Sequence, residues 1–192
     1  MPFESLAGRL LLASPTLGDP NFADSVVLLC HHDRESSLGL VINRPRDLTL
    51  AEVLADLKFE ADTDSGRHQR EIAGRSTFEG GPIEPFRGFV LHDGWHIYES
   101  TMRVSNDLHL TTSRDVLEEI ARGTGPEHFM LILGYAGWSG GQLEEELANN
   151  DWLVADPSQQ LLFLTAPEHR WALAAQSLGV RREHLSRQIG HA

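Results

Sequence analysis

Ser139 is the first residue to test for chemistry. It lies in Gly137-Trp138-Ser139-Gly140-Gly141, which fits the Gly-x-Ser-x-Gly elbow that holds a nucleophilic serine on a sharp strand-to-helix turn. Asp151 or Asp156, followed by His169, His184 or His191, would supply an acid and a base in hydrolase order. Two features oppose this reading. The apolar run 129–133 predicts a strand that stops several residues short of Ser139, whereas an elbow serine stands on the strand end. No repeating strand–helix units surround it to build the parallel sheet that such an elbow needs. Ser139-x-x-Gln142 also has the form of a capping box, which gives the hydroxyl a simpler task at the start of a helix over 139–149. The same glycines could cradle a phosphate at that helix start. Glu144, Glu145 and Glu146 already complement the helix dipole there and would repel an anion. No Gly-x-x-x-x-Gly-Lys-Ser/Thr occurs, so a P-loop is not expected.

The histidines invite a metal reading. His31, His32, Asp33 and Glu35 are close in sequence, but neighbouring positions on a strand point to opposite faces. His92 and His96 would face opposite sides of a hairpin turning at Asp93-Gly94, and in a longer loop no spacing rule links them. There is no His-Glu-x-x-His and no cysteine pair. The histidines are therefore expected on the surface or in turns, with no metal and no cofactor. Should the chain be an enzyme, Ser139 and the His92-Asp93 pair are the least implausible sources of chemistry.

Asn43-Arg44-Pro45 falls at a strand exit. Proline there ends the ladder, asparagine tolerates turn geometry, and Arg44 is left to clamp a carboxylate, Glu79 or one of Glu144–Glu146. Trp138 and Trp152 flank the acidic helix, and at least one of them belongs in the core. Together, Asn43, Arg44, Gly80, Gly81, Pro82, Trp138, Gln142 and Glu146 form the candidate ligand or partner surface.

The elements that must position these residues can be read from apolar patterning. Strands are expected over 6–13, 25–31, 38–43, 88–92 and 129–133, and the near-continuous apolarity of the early ones predicts cover on both faces. After 88–92, two alternatives stay open: a tight Asp93-Gly94 hairpin into 95–98, or a longer loop to strands near 102–104 and 108–111. Residues 152–155 and 160–164 look like a hairpin pair. Thr49-x-x-Glu52 opens a short helix to about Leu57. Thr112 or Ser113 caps a helix ending at Gly123, and Thr165-x-x-Glu168 caps one ending at Gly179. A last short helix is expected over 182–188, and 60–75 reads as a loop. Strands outnumber helices without strict alternation, which predicts a single α+β domain over 1–192.

Bulk properties narrow the function classes. At 192 residues and 41% apolar content the chain can bury a substantial core. A net charge of −12 opposes general DNA or RNA binding, which rewards clustered Lys and Arg. Arg170, Arg181, Arg182 and Arg187 suggest a small basic patch near the C-terminus, read as a solvated face. No apolar run reaches the ~20 residues of a membrane span, and residues 1–12 do not read as a signal peptide, so a cytoplasmic location is expected. Cys30, the single cysteine, lies within an apolar run and is expected to be buried and inert.

Several stretches resemble the YqgE/AlgH family of bacterial proteins: Gly39-Leu40-Val41-Ile42-Asn43-Arg44-Pro45, Gly80-Gly81-Pro82, Gly88-Phe89-Val90-Leu91-His92, Leu133-Gly134-Tyr135-Ala136-Gly137-Trp138, Gly141-Gln142-Leu143-Glu144 and Gly190-His191-Ala192. The resemblance spans nearly the whole chain. It implies a single α+β domain whose bent, mostly antiparallel sheet closes into a pseudo-barrel with flanking helices. It implies a cytoplasmic protein of a family with a transcriptional-regulator label, and it brings no catalytic residue, cofactor or substrate. The family pattern leaves the Ser139 position open, where a nucleophile would not sit. The expected function is a non-catalytic regulatory or interaction protein that binds a protein partner or a small molecule. The alternative is a serine hydrolase-like enzyme using Ser139.

Overall fold

Strand β1 (Leu10–Ala13) is apolar at every position because both of its faces are covered. Leu10 and Leu12 enter one core cluster, Leu11 and Ala13 another. Strand β2 (Val26–His32) divides the same way, with Val26, Leu28 and Cys30 on one face and Val27 and Leu29 on the other. Burial pushes the Cys30 thiol well above its ordinary range, so it stays protonated and inert.

A computed structural model describes residues 3–59 and 71–180. The remaining strands are β3 (Ser36–Val41), β4 (Pro45–Thr49), β5 (Ser76–Glu79), β6 (Ile83–His92), β7 (Thr101–Arg103), β8 (His109–Thr111), β9 (Phe129–Ser139) and β10 (Trp152–Ala155). The helices are α1 (Leu50–Asp56), α2 (Asp115–Arg122), α3 (Gln142–Ala148) and α4 (Pro167–Ser177), with one π-helical turn at Gln160–Leu164. The sheet runs β10-β1-β2-β3-β9-β6-β8-β7, and β4 and β5 join it through β9. Among the described residues every pairing is antiparallel except β5 with β9. The sheet curls into a half-barrel flanked by helices, the expected α+β architecture. Helix α4 covers one face through Trp171, Ala174 and Ala175, and α3 covers the other through Leu143. Helices α1 and α2 pack Leu50, Leu54, Val116 and Ile120 onto Val90, Phe129 and Leu131.

Strand β9 organises the sheet. On one edge it pairs with β6. On the other, Ile132 and Leu133 face β5, and Ala136 to Ser139 face β3. The chain crosses the gap between those partners at Gly80-Gly81. Gly80 N–H donates to Leu133 O (2.8 Å) and Gly80 O accepts from Val41 N–H (2.9 Å). A Cβ on Gly80 would lie 2.2 Å from Gly134 O, and one on Gly81 2.3 Å from the Tyr135 carbonyl, so only glycine permits the crossing.

Several sequence expectations are corrected. The strand beginning at Phe129 runs on to Ser139, because β3 pairs with its glycine-rich half. Pro45 begins β4 instead of ending the ladder outright. The longer loop, and not the Asp93-Gly94 hairpin, follows β6, since β6 pairs with β8. Residues 160–164 form the π turn, so β10 has no hairpin mate there and pairs with β1. The Thr49–Glu52 capping box forms as expected. Hydrogen bonds from Thr49 hold the Glu52 carboxyl below its ordinary range. The helix ends expected at Gly123 and Gly179 are observed, but the other expected N-caps do not form. Arg114, Gly141 and Ala166 occupy the N-cap positions, and Thr165 Oγ1 donates to Gln160 O. Arg170 is buried and not part of a basic face: it donates to Ile42 O and Thr165 O and lies over the Phe78 ring. Burial lowers its guanidinium to about 10. The loop expected over 60–75 is described only from 71, and Glu71–Ala73 in it form a helical turn. The helix expected over 182–188 and Arg181, Arg182 and Arg187 lie outside the described residues.

Candidate functional site

Of the eight residues expected to form a ligand surface, five fall in two clamps and three lie where the chain crosses from β5 to β6. Asn43 Oδ1 accepts from Val26 N–H (2.8 Å) and its Nδ2 donates to Asp24 O (2.9 Å). Arg44 donates to Asn21 O and Ala23 O. The expected carboxylate partner is therefore replaced by backbone carbonyls, because the turn-rich segment before β2 presents them to the guanidinium; Glu79 meets Arg44 only through its N–H on Arg44 O (2.8 Å). The segment held in this way carries Phe22, whose ring lies 6.2 Å from Trp138 and 5.6 Å from Trp152. Both tryptophans are buried, and their indole N–H groups donate to one oxygen of Glu146 at 2.8 and 2.7 Å. Gln142 Nε2 donates to the other oxygen at 3.0 Å. Gly80, Gly81 and Pro82 lie at the β9 crossing already described. These residues fix β9, α3 and the segment before β2; neither of the two cavities described below is lined by any of them.

Ser139 is the last residue of β9, so the strand does reach it. Its N–H and Oγ both point to Gln142 Oε1, at 3.1 and 3.3 Å. This is half of a capping box: the Gln142 side chain reaches back, but Gly141 (φ 81°) takes the N-cap. Among the described residues no histidine or carboxylate is hydrogen-bonded to Ser139, and nothing here supports a serine nucleophile.

The larger cavity, about 690 Å³, opens elsewhere, between the segment after β6 and the one after β10. Its floor includes Leu108, Leu162 and Phe163, and Trp95 and Ile97 stand at its lip, 98% and 83% exposed. The pairing of His92 with Phe129 brings the end of β6 beside the start of β9. Asp93 consequently meets His128 twice: its Oδ1 accepts from the backbone N–H (3.2 Å) and its Oδ2 from ring Nδ1 (2.7 Å). Gln159 Nε2 donates to the same Oδ2 at 2.8 Å. Three donors thus fix the Asp93 carboxylate at the cavity wall.

Behind it runs a directed chain. His92 Nδ1 lies 3.0 Å from Asp93 O, a pure acceptor, so Nδ1 carries the proton and Nε2 accepts from Thr111 Oγ1 (2.9 Å). Thr101 Oγ1 then donates to Thr111 Oγ1 (2.8 Å) and accepts from Tyr98 N–H (2.8 Å). Burial, with smaller contributions from His109 and His96, lowers the His92 pKa below its ordinary 6.5 and keeps the ring neutral. Tyr98 OH donates to Glu119 Oε2 (3.0 Å), and burial followed by that carboxylate pushes the phenol upward. His32, also expected at the surface, is buried. It accepts from Leu6 N–H at Nδ1 (2.9 Å) and meets Glu144 through Nε2 (3.0 Å).

The Asp93–His128 pair orients an imidazole as a catalytic base would be oriented. Yet among the described residues no hydroxyl or thiol is hydrogen-bonded to that ring. No group of three or more His, Cys, Asp or Glu among the described residues is placed to hold a metal ion. What the arrangement offers is a walled apolar cleft with fixed polar groups. The sequence singled out His92-Asp93 but not His128 or Gln159, which lie 35 and 66 positions from Asp93. The only signal for His128 is strand register, and Gln159 carries none. A second cavity of about 220 Å³ lies under exposed Phe86, between Leu57, Val90, Leu117 and Leu131.

The fold and its two clamps define a class of curled-sheet α+β proteins in which motif glycines and aromatics serve the frame. The chain belongs to the AlgH-like family, whose model matches residues 10–183. A UPF0301 protein of Xylella fastidiosa is 44% identical over 192 residues, covering 100% of this chain and 99% of the relative. One from Cupriavidus metallidurans is 44% identical over 190 residues, covering 98% and 96%. The solution structure of AlgH from Pseudomonas aeruginosa superposes with a TM-score of 0.77 at 43% identity over 100% of both chains. The crystal structure of protein DIP2367 from Corynebacterium diphtheriae, at 20% identity and a TM-score of 0.74, covers 97% of this chain and 94% of its own and shares the fold. Among the described residues no helix is long and apolar enough to cross a membrane.

Proposed function

We propose that the protein is a non-catalytic interaction protein of the bacterial cytoplasm that regulates by binding. Its recognition site is the cleft beneath Trp95 and Ile97, and it takes a protein partner or a small molecule there. One observation carries this reading: Trp95 is 98% exposed and Ile97 83% exposed at the mouth of an apolar cavity, a placement that costs solubility and gains nothing for the fold. The regulatory part draws on the label attached to the family. The net charge of −12 argues that such regulation does not go through direct DNA contact.

The test is a thermal-shift screen of metabolites, nucleotides and short peptides on wild type and on Trp95→Ser/Ile97→Ser. A ligand at 100 times its dissociation constant adds ~2.7 kcal/mol to stability. The double variant is expected to keep its own melting temperature and to lose the ligand-induced rise. A flat panel for wild type, or a rise that survives the double substitution, would move recognition away from this cleft.

A further inference from the structure

Among the described residues strand β7 ends the sheet, paired only with β8. The register fixes which of its backbone groups are free. Thr112 N–H donates to Ser100 O and Val104 N–H to Leu108 O, so positions 100 and 104 are the hydrogen-bonded sites facing β8. Antiparallel pairs alternate, so Met102 shares that role, and Thr101 and Arg103 turn their N–H and C=O groups away from β8, to the open edge. The Thr101 and Arg103 side chains line the cleft, while Met102, on the opposite face, is 38% exposed. A strand laid along this edge would alternate its side chains between those two faces.

The usual protection of an edge strand is partly withdrawn here. A charged side chain normally guards such an edge. The Arg103 guanidinium instead folds onto its own turn, donating to Ser105 O (3.1 Å) and Asn106 Oδ1 (2.6 Å). Acidic residues stand at both ends: Glu99 before the strand and Asp107 past it. Among the described residues neither carboxylate has a hydrogen-bond or ion-pair partner.

We propose that the cleft and the β7 edge together receive an extended basic segment of a partner protein, which adds a strand to the sheet. The segment pairs with the outward groups of Thr101 and Arg103. It lays an apolar side chain under Trp95 and Ile97 and sets cations against Glu99 and Asp107. This rests on the cleft being the recognition site and names what occupies it. A second copy of the chain is the weaker fit, because each copy carries a net charge of −12.

The experiment uses the full chain, uniformly 15N-labelled, with a short capped peptide alternating valine and lysine. Two controls are its N-methylated form, which cannot pair along one edge, and a valine–glutamate counterpart. Amide exchange at Thr101 and Arg103 is expected to slow at least about tenfold at saturation, and each control to bind about tenfold or more weakly. Arg103→Pro, which removes one outward donor at an edge position that tolerates proline, is expected to fold and to lose the response. Perturbation of Trp95 without slowing at Thr101 and Arg103 overturns strand addition and leaves the cleft reading standing. Equal binding of the valine–glutamate peptide overturns the basic partner. Slowing that depends on protein concentration without peptide points to a second copy and overturns the proposal. No response to any of the three peptides overturns it as well, and the small-molecule screen then decides the cleft by itself.

Discussion

Replacing Glu146 by alanine removes one acceptor from two buried tryptophans at once. The indole N–H groups of Trp138 and Trp152 donate to a single carboxylate oxygen at 2.8 and 2.7 Å, and both residues are nearly fully buried, at 4% and 3% exposure. Orphaning a buried donor costs ~1–3 kcal/mol, so the pair sets an upper range of ~2–6. Glu146 is itself half-buried, so water can enter the space its side chain leaves. The expected loss is therefore ~2–4 kcal/mol, read as a lower urea midpoint at unchanged slope. Glu146→Gln should cost less, ~1–2 kcal/mol, because an amide oxygen still serves the indoles while its NH₂ confronts Gln142 Nε2. Gln142 cannot relieve that clash by flipping, since its Oε1 already accepts from Ser139. A cycle with Trp152→Phe isolates the interaction: on that background Glu146→Ala should cost ~1 kcal/mol less than on wild type. If Glu146→Ala stays within ~0.5 kcal/mol of wild type, or the cycle shows no coupling, the carboxylate is not the fastener argued for here.

Gly81→Ala places a methyl 2.3 Å from the Tyr135 carbonyl at a φ of 149°. It should destabilise the chain by ~3 kcal/mol or more in urea, through overpacking and backbone strain together. Ser139→Ala loses one exposed 3.3 Å hydrogen bond and should shift stability by less than ~0.5 kcal/mol. Wild type should resist labelling by a fluorophosphonate, and stoichiometric labelling abolished in this variant would restore the nucleophile. His92 gives a pH signature. Its folded pKa lies below the ordinary 6.5, so below pH 6.5 the unfolded chain binds the proton that the folded chain refuses. Stability should be complete above pH 6.5 and fall as the pH drops through the folded value. His92→Gln, which can still accept from Thr111, should flatten the melting-temperature profile in that window. Asp33, Glu52 and Asp115 are carboxylates held below their ordinary values, the last by hydrogen bonds that outweigh its burial. They lose stability only at more acid pH, below ~4, so the two windows separate.

What could be read from the chain follows from how local each feature is. β1 and β2 show as apolar runs because two core clusters cover their two faces. The Thr49–Glu52 box shows because both of its hydrogen bonds close within three residues. The second half of β9 does not show. Gly134, Ala136 and Gly137 lack the β-branched signature of a strand, and only the partner β3 and the crossing at Gly80-Gly81 explain why small residues are required there. The apolar run 160–164 is equally suited to a strand and a helical turn, and a free partner strand, which β10 does not offer, would have decided it. Arg44 was legible as a clamp and illegible in its target, because a guanidinium suits a carbonyl as well as a carboxylate. The cleft was least legible of all. Asp93, His128 and Gln159 belong to three separate segments, and only the register of β6 on β9 brings the first two together.

The residues that make the family recognisable and the residues that line the cleft obey different constraints. Asn43, Arg44, Gly80, Gly81, Trp138 and Gln142 each serve a fixed backbone path: a carbonyl to be capped, a crossing too close for a Cβ, or an indole N–H to be satisfied. Such demands admit few residue types, so they stand out in a sequence without reporting any reaction. Trp95 and Ile97 serve no backbone path, and their side chains reach solvent on the segment that joins β6 to β8. A rigid frame that presents adaptable connecting segments is the general arrangement of a binding protein. In this chain the frame fixes only the root of the cleft, through Asp93 and His128, while its lip is left to residues that packing does not dictate. Differences in what relatives bind should therefore lie in residues 94–107.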